Sequence, residues 1–571
     1  MPVMKFDVNE TYAPNPRTTA KGRHIVHISI DKEGNEKPPS LLADKFDIVG
    51  NGTDGSGAHY RIIRYQDRCT RQTRHAALPC AEIGSNAAWA KLQSMGIVVY
   101  SGRAKREYLA DYLQTAGSRD FWQITDKAGW QGNAYILPSG EVLQADEGEC
   151  RVLYNGDTSQ AAAYTAKGSL HEWRENVAKY AAGNSRLLLA IGAALAAPMM
   201  NRLEEAGGGF HLYGASRDGK TTAAKAALSV WGDPDAAKLS WNGTALGFGN
   251  TALARNDNLL VLDEIGQVKH TKTVSETAYA VIDGTGKIQG HKDGGNRLIR
   301  QWRTLLFSTG EYDMQSYVER GGEKWEAGQN VRIPSLPSRA TYGIYENLHS
   351  FENGAALSDH LLHQIGQYHG TAGRAWIEQL RHIDTDAIRE MRDSFLRMLP
   401  ELNGQILTVA RRFALVAAAL ELSADITGLP RGQGMAAMKQ YFEEWIDENG
   451  TESHEERTII RNAVRFFELY AHTPRFAIFD ALQKDHDRNH AGYYKAKNGD
   501  YAAPAAEREQ EYWVIPTVFE EEICKGRNTA MVCRILHGAG WLEKYSGERY
   551  QFQRGDKIRY YVFDGVRPPD K

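Results

Sequence analysis

At roughly 150 residues per domain, a chain of 571 residues holds about three or four domains, which excludes a single small module. Hydrophobic residues make up 42% and charged residues 24%, the balance of a folded protein and not of a disordered one. The 68 basic residues face 71 acidic ones, a net charge of −3, so any contact with nucleic acid has to come from local clusters.

The most apolar run, residues 187–200, is shorter than the about 20 residues that cross a bilayer. It carries Gly192 and Pro198 and reads as a buried helix. The first residues are polar and punctuated by Pro2, Pro14 and Pro16, with no secretory pattern. Cys69, Cys80, Cys150, Cys524 and Cys533 are never spaced as CxxC, which disfavours a disulfide framework and a structural zinc site. A cytoplasmic location is expected, with no membrane partner.

In chain order, residues 1–165 mix β-like runs (24–30, 60–65, 97–100, 134–137) with turn signals at Asn51-Gly52 and Asp54-Gly55, which predicts an α+β domain. Residues 166–345 open helically and then reach Gly207-Gly208-Gly209, read as a joint. Beyond it the apolar runs 210–213, 259–262 and 304–307 alternate with helical segments, the pattern of a parallel sheet. Residues 346–450 are periodic at helical spacing and predict a helical subdomain. Residues 451–510 predict a helical linker, helical to 479, with an exposed polar loop over 485–508. Residues 511–571 run helix, helix, then two strands (549–553 and 558–563), the order of a winged helix.

The chemistry concentrates in the second segment. Gly214-Ala215-Ser216-Arg217-Asp218-Gly219-Lys220-Thr221 matches G-x-x-x-x-G-K-[ST], between a strand-like run and the helix-compatible run that starts at Thr222. Gly214, Ser216 and Gly219 bring backbone N–H groups to phosphate oxygens, Lys220 adds a charge and Thr221 offers a hydroxyl to Mg²⁺. Forty-three residues beyond Lys220, the apolar run 259–262 ends in Asp263-Glu264. There Asp263 would hold the metal with Thr221, and Glu264 would polarise an attacking water. A third apolar run ends at Ser308-Thr309, either of which can offer a hydroxyl to the γ-phosphate or the water.

These residues, together with Ser240-Trp241-Asn242, Gly284-Thr285-Gly286-Lys287 and Gly328-Gln329-Asn330-Val331-Arg332, resemble a phage and mobile-element family catalogued as domain of unknown function 927. The resemblance covers roughly residues 90–425. Relatives on staphylococcal cassette elements are regarded as MCM-like hexameric replicative helicases. The resemblance thus implies an α/β fold with an AAA+ P-loop NTPase core, a helical lid, an α+β N-terminal domain and a C-terminal winged helix.

Residues 287–300 read as a hairpin turning at Asp293-Gly294-Gly295. Such motors carry a channel hairpin here, which makes Lys287, His291, Lys292 and Arg297 candidate DNA contacts. Arg332, with Arg339 and Arg320 as rivals, is the candidate arginine that reaches a neighbouring subunit's γ-phosphate. Arg411 and Arg412 are candidate lid arginines closing over nucleotide, and Thr222 extends the loop. Between Cys524 and Val562, eight basic residues face three acidic ones, a local charge suited to DNA. Arg61, Arg64, Arg68, Arg71 and Arg74 form a second basic cluster, read as solvated.

The expected function is an ATP- and Mg²⁺-dependent ring, a hexamer, that translocates on single-stranded or forked DNA as a helicase in mobile-element replication. A primase or loader is a candidate further partner. The alternatives are an ATP-dependent initiator or remodelling ATPase without processive unwinding, and an anti-phage defence ATPase. A small-molecule kinase is disfavoured by the Asp263-Glu264 pair.

Overall fold

The computed structural model describes residues 16–143, 151–268, 271–290, 295–296, 299–323, 325, 327–402, 404–449, 454–479, 489–497, 510–547, 549–554 and 558–569. It is a mixed α/β chain whose contacts divide into two compact units, one of residues 1–400 with 408–445 and one of residues 401–407 with 446–571. Among the described residues, no helix is long and apolar enough to cross a membrane.

The first unit opens with a three-stranded antiparallel sheet (Arg17–Lys21, His24–Ile28, Ser40–Asp44) and a five-stranded mixed sheet. In the latter, Asp47–Thr53 lies between Phe121–Thr125 and His59–Gln66, flanked outside by Arg151–Tyr154 and Thr73–Pro79. Trp89, Leu92, Leu109 and Leu113 from two helices pack onto it over Ile48, Ile63 and Leu78. Asn51-Gly52 is not the expected turn but the middle of a strand. Its glycine is needed for space, since a methyl group there would strike Ile124. The chain reverses at residues 54–58 instead, where Gly57 takes a left-handed φ of 81°. The expected strand 97–100 is reduced to a single bridge between Val99 and Ala43.

The central sheet follows. Its elements are β1 (Gly208–Tyr213), α1 (Lys220–Ser229), β2 (Leu239–Ser240), α2 (Ala245–Ala254), β3 (Asn258–Asp263), α3 (Thr271–Asp283), β4 (Thr304–Gly310) and β5 (Ser335–Pro337). The strands lie in the order β2-β3-β4-β1-β5, all parallel. Every residue of β3 and β4 is buried, because helices cover both faces. Leu260, Leu262 and Leu306 meet Val274, Ala278 and Val281 of α3 on one side. On the other, the buried helix Ser185–Ala196 packs against α1 and β4. Gly208 and Gly209 are no joint: both lie in β1, where side chains on them would strike Arg412 and Leu306.

The helical stretch after residue 346 comprises Gly354–Gln367, Thr371–Arg381, Thr385–Leu396, Gly404–Leu422 and Gln433–Asn449. In the second unit, the helix His454–Tyr470 is followed by a strand, Phe476–Ile478, where helix was expected. Part of the expected polar loop, Gly492–Ala496, is also a strand, paired antiparallel with Gln510–Val514. The five-stranded sheet is completed by Arg559–Asp564 and Gln551–Gln553, and Phe467, Phe519, Trp541 and Phe563 fill its core.

Candidate active site

The loop between β1 and α1 lies at the carboxyl edge of the sheet, where the strand order reverses from β1, the position at which open α/β sheets place ligands. Gly219 holds a left-handed φ of 96°, which glycine alone adopts freely. Gly214 is required by close approach, because a methyl group on it would strike Ser338 Oγ. No acceptor among the described residues takes the backbone N–H groups of Ala215 to Gly219. A row of unpaired donors therefore leads into the amino end of α1, the arrangement that receives an anion. Ser216 is exposed on this loop, Thr221 is exposed beside it, and Thr222 is buried with its hydroxyl toward Tyr345.

The Lys220 side chain is buried, and its ammonium donates to the carbonyls of Gly214 (2.9 Å) and Ala215 (2.6 Å). Asp263, at the end of β3, is also buried. Its carboxylate meets Lys238 Nζ at 2.7 Å, accepts from Thr309 Oγ1 at 2.5 Å and lies 3.3 Å from Thr221 Oγ1. Glu264 leaves the strand with φ of 57°, a conformation costly for a residue with a Cβ. Its backbone N–H donates to the same Thr309 hydroxyl at 3.0 Å. One threonine thus fixes both carboxylate residues.

Ser308 is not brought to this cluster. Adjacent strand residues face opposite sides of a sheet, and Ser308 Oγ sits 2.9 Å from His211 Nδ1 while accepting from Trp241 Nε1 at 3.1 Å. His211 Nε2 lies 2.9 Å from the Tyr312 carbonyl, so the ring donates there and accepts from Ser308. Burial pushes the imidazole down to about 4, which keeps it neutral.

Arg332 closes a short helix before β5 and faces Asp283 at 3.8 Å, at the amino end of the strands. Of its rivals, Arg320 lies over the Tyr312 ring at 3.9 Å, and Arg339 is exposed just past β5. Arg412 packs against Gly208, at the far end of β1 from the loop, and burial lowers its guanidinium to about 10. Arg411 is exposed on the same helix. Neither is brought to the loop.

The hairpin forms. Thr285 pairs with Gln301 and Gly290 with Asn296, antiparallel and in one register. Lys287 is exposed near its root, and His291, Lys292 and Arg297 lie outside the described residues. A cavity of about 1380 Å³ lies between this root and residues 53–60, 123–131 and 155–157. Asp54, Asp126 and Asp157 there balance Lys127, Lys287 and Arg300, so its lining does not concentrate phosphate. In the arginine cluster of residues 61–74, Arg64, Arg68 and Arg74 pair with Asp47, Asp44 and Asp67, and Arg61 is buried against main-chain carbonyls. In the second unit, Lys525, Arg534, Lys544, Arg549 and Arg559 are exposed, whereas Arg554 stacks 3.6 Å over the Tyr493 ring.

Lys238 and His211 carry no sequence motif, and the link of His211 through Ser308 to Trp241 emerges only from packing. Among the described residues no three His, Cys, Asp or Glu side chains gather as a metal site. A divalent cation here would rest on Asp263, Thr221 and oxygens of a bound phosphate, the usual habit of Mg²⁺.

No protein with a curated description matches the sequence. Among solved structures, one described as "SCCmec type IV Cch - active helicase" superposes with a TM-score of 0.69 at 17% identity, over 98% of this chain and 98% of that one. The likeness is one of fold. Another, described as "The A form apo structure of NrS-1 C terminal region-CTR", covers 90% of this chain and 96% of that one at 10% identity and a TM-score of 0.35. Residues 18–301, which hold the loop, Asp263, Glu264 and the root of the hairpin, match and belong to the family described as Domain of unknown function (DUF927).

Proposed function

We propose that the chain is a Mg²⁺-dependent ATPase of the AAA+ class that assembles as a hexameric ring and acts as a DNA helicase in replication of a phage or other mobile element. The observation that carries this reading is the meeting of three strand ends. The loop with Lys220 follows β1, Asp263 and Glu264 end β3, and Thr309 on β4 bonds to both of the latter. The fold likeness and the hairpin between α3 and β4 support the motor. We assign residues 1–165 to an N-terminal domain, 166–345 to the motor, 346–450 to a lid, 451–510 to a linker and 511–571 to a winged helix. The helix, two-strand order of the last segment supports that name.

In this reading the amides of 215–219 bind the β and γ phosphates, and Lys220 turns from its loop carbonyls onto them. Bound Mg²⁺ would supply charge neutralisation between the two phosphates. Glu264 orients a water for in-line attack. The water oxygen bonds to the γ-phosphorus, the bond from that phosphorus to the bridging oxygen breaks, ADP leaves, and the water's proton passes through Glu264 to phosphate. Thr309 holds Glu264 at its backbone through this step. Arg332 lies at the other end of the strands from its own loop, which suits action on a neighbour's nucleotide.

The test is ATP turnover with and without single-stranded DNA, together with displacement of a labelled strand from a fork. Lys220→Ala should abolish turnover, and Glu264→Gln should bind nucleotide yet lose roughly 10²- to 10⁴-fold in rate. Turnover near wild type in either variant refutes the site. Turnover with DNA-dependent assembly but no displacement points to an initiator or remodelling ATPase.

A further inference from the structure

At the amino ends of β3 and β4 lies a polar junction that the proposed chemistry does not use. Asp257, 1% exposed, precedes β3 with a left-handed φ of 52°. Its Oδ2 accepts from the Trp130 backbone N–H (3.2 Å), Asn201 Nδ2 (3.2 Å) and Asn256 Nδ2 (2.8 Å). Its carbonyl accepts from the Tyr135 hydroxyl at 2.8 Å, and that hydroxyl also accepts from Asn258 Nδ2 at 3.0 Å. Its backbone N–H donates to the Arg303 carbonyl at 2.6 Å. Asn256 bonds to the Ala128 carbonyl at 3.0 Å and to the Arg303 N–H at 2.7 Å.

Three segments therefore meet at Asp257, and Asn201 joins them from a fourth. Residues 128–135 belong to the N-terminal domain, 256–258 lead into the strand that ends at Asp263, and 302–304 join the hairpin to the strand that ends at Ser308 and Thr309. The approach is close enough to require glycine at 129, where a methyl group would strike Asn256 and Asp257.

The junction is also incompletely satisfied. Asp257 Oδ1 is buried without a hydrogen bond, and Arg303 Nη1 stops 3.9 Å from it, donating instead to the Met200 carbonyl at 3.2 Å. A buried carboxylate left in this state is poor glue, since its unmet oxygen carries a desolvation penalty. Arg303 lies between two acceptors, the Met200 carbonyl that it holds and the unmet Asp257 Oδ1, and an element with two discrete arrangements is what coupling between sites requires. Arg303, Lys127 and Tyr135 are the charged and titratable groups that face Asp257, and burial raises its carboxyl to about 6.

We propose that Asp257 is a positioning residue through which the nucleotide state of the strand ends is transmitted to the N-terminal domain and the hairpin, with Arg303 switching between Met200 and Asp257 as the moving part. The inference rests on the ATPase reading above and adds the regulation of that site.

The experiment is amide hydrogen exchange on the full chain with Mg²⁺-ADP and with Mg²⁺-ATPγS, alongside ATP turnover. In wild type, residues 128–136 should exchange at rates that differ by about threefold or more between the two nucleotides, a local opening difference. In Asp257→Asn, nearly isosteric, and in Arg303→Gln, which leaves the carboxylate in place, that difference should vanish. Both variants should still protect residues 214–222 and keep the KM for ATP within about twofold, while DNA stimulation of kcat is lost. Protection at 214–222 with no nucleotide-dependent difference at 128–136 in wild type overturns the proposal. So does a difference that survives in both variants, or stimulation unchanged in both. Absence of protection at 214–222 defeats the ATPase reading itself and this inference with it.

Discussion

The two ends of β3 and β4 are built from opposite kinds of contact. At their carboxyl ends, Asp263 is held by Lys238, Thr309 and Thr221, and Lys220 rests on loop carbonyls. These partners sit on side chains that can turn, and several are part-exposed. At the amino ends, Asn256, Asp257, Asn258 and Thr304 are fully buried, and the partners of the first three are main-chain groups, including the Trp130 N–H, buried amide side chains and the Tyr135 hydroxyl. Between the ends, residues 259–262 and 305–307 are wholly apolar. One end is suited to exchanging ligands, the other joins two strands to residues 128–135 through a buried carboxylate with one oxygen unmet, and the apolar middle makes the two strands a stiff pair.

The largest expected effect tests whether the amino end is catalytically silent. Arg332 lies on that side, so Arg332→Ala should bind ATP normally and lose roughly 10³-fold in turnover only if it serves a neighbour. Mixing it with Lys220→Ala should restore part of the activity, since some interfaces then pair an intact loop with an intact arginine. Mixed assemblies without any recovery place its action within its own subunit.

A smaller effect separates two adjacent residues of β4. Thr309→Val removes the hydroxyl that joins Asp263 to Glu264 and should lower kcat by roughly 10- to 100-fold, the rate equivalent of one charged hydrogen bond. Ser308→Ala orphans His211 Nδ1 and Trp241 Nε1, and should lower unfolding stability by about 1–3 kcal/mol with kcat changed little. The reverse pattern, read by kinetics and chemical denaturation, would exchange their roles.

A further effect, on stability and not on turnover, is a dependence on pH. His211 has its folded value lowered to about 4, so its contribution to stability is complete above its ordinary 6.5 and is lost as pH falls toward 4. Asp257 is raised to about 6, so its contribution is present at low pH and is lost as pH rises through 6. The two oppose each other between pH 4 and 6.5. Asp257→Asn should unmask the histidine, and its stability relative to wild type should drop by about 3 kcal/mol from pH 7 to pH 4. A difference independent of pH in denaturation curves would show that Asp257 does not titrate in this window.

The loop 214–221 and the Asp263-Glu264 pair were legible in the sequence because backbone approach and charge demand particular residues at fixed spacing. The choice between Ser308 and Thr309 was not. A parallel strand buried on both faces has no alternation to betray which side a residue faces. Arg412 failed for a related reason, since helical periodicity gives a face but not the end of a sheet against which it packs. Asn51-Gly52 and Gly207-Gly208-Gly209 read as a turn and a joint, although Gly52, Gly208 and Gly209 make room for neighbours that lie far off in sequence. Gly492–Ala496 was lost in a polar stretch because its partner strand, not its composition, makes it a strand. Asp257 carries no motif at all.

The left-handed turn at Glu264 has an evolutionary consequence. A side chain in that conformation is disfavoured by roughly 1–2 kcal/mol, whereas glycine adopts it freely and asparagine nearly so. Selection for thermal endurance alone would replace the glutamate. A glutamate there trades backbone ease for a carboxylate at the strand end, so in the ATPase reading Glu264→Asn should lose turnover while folding at least as stably as the wild type.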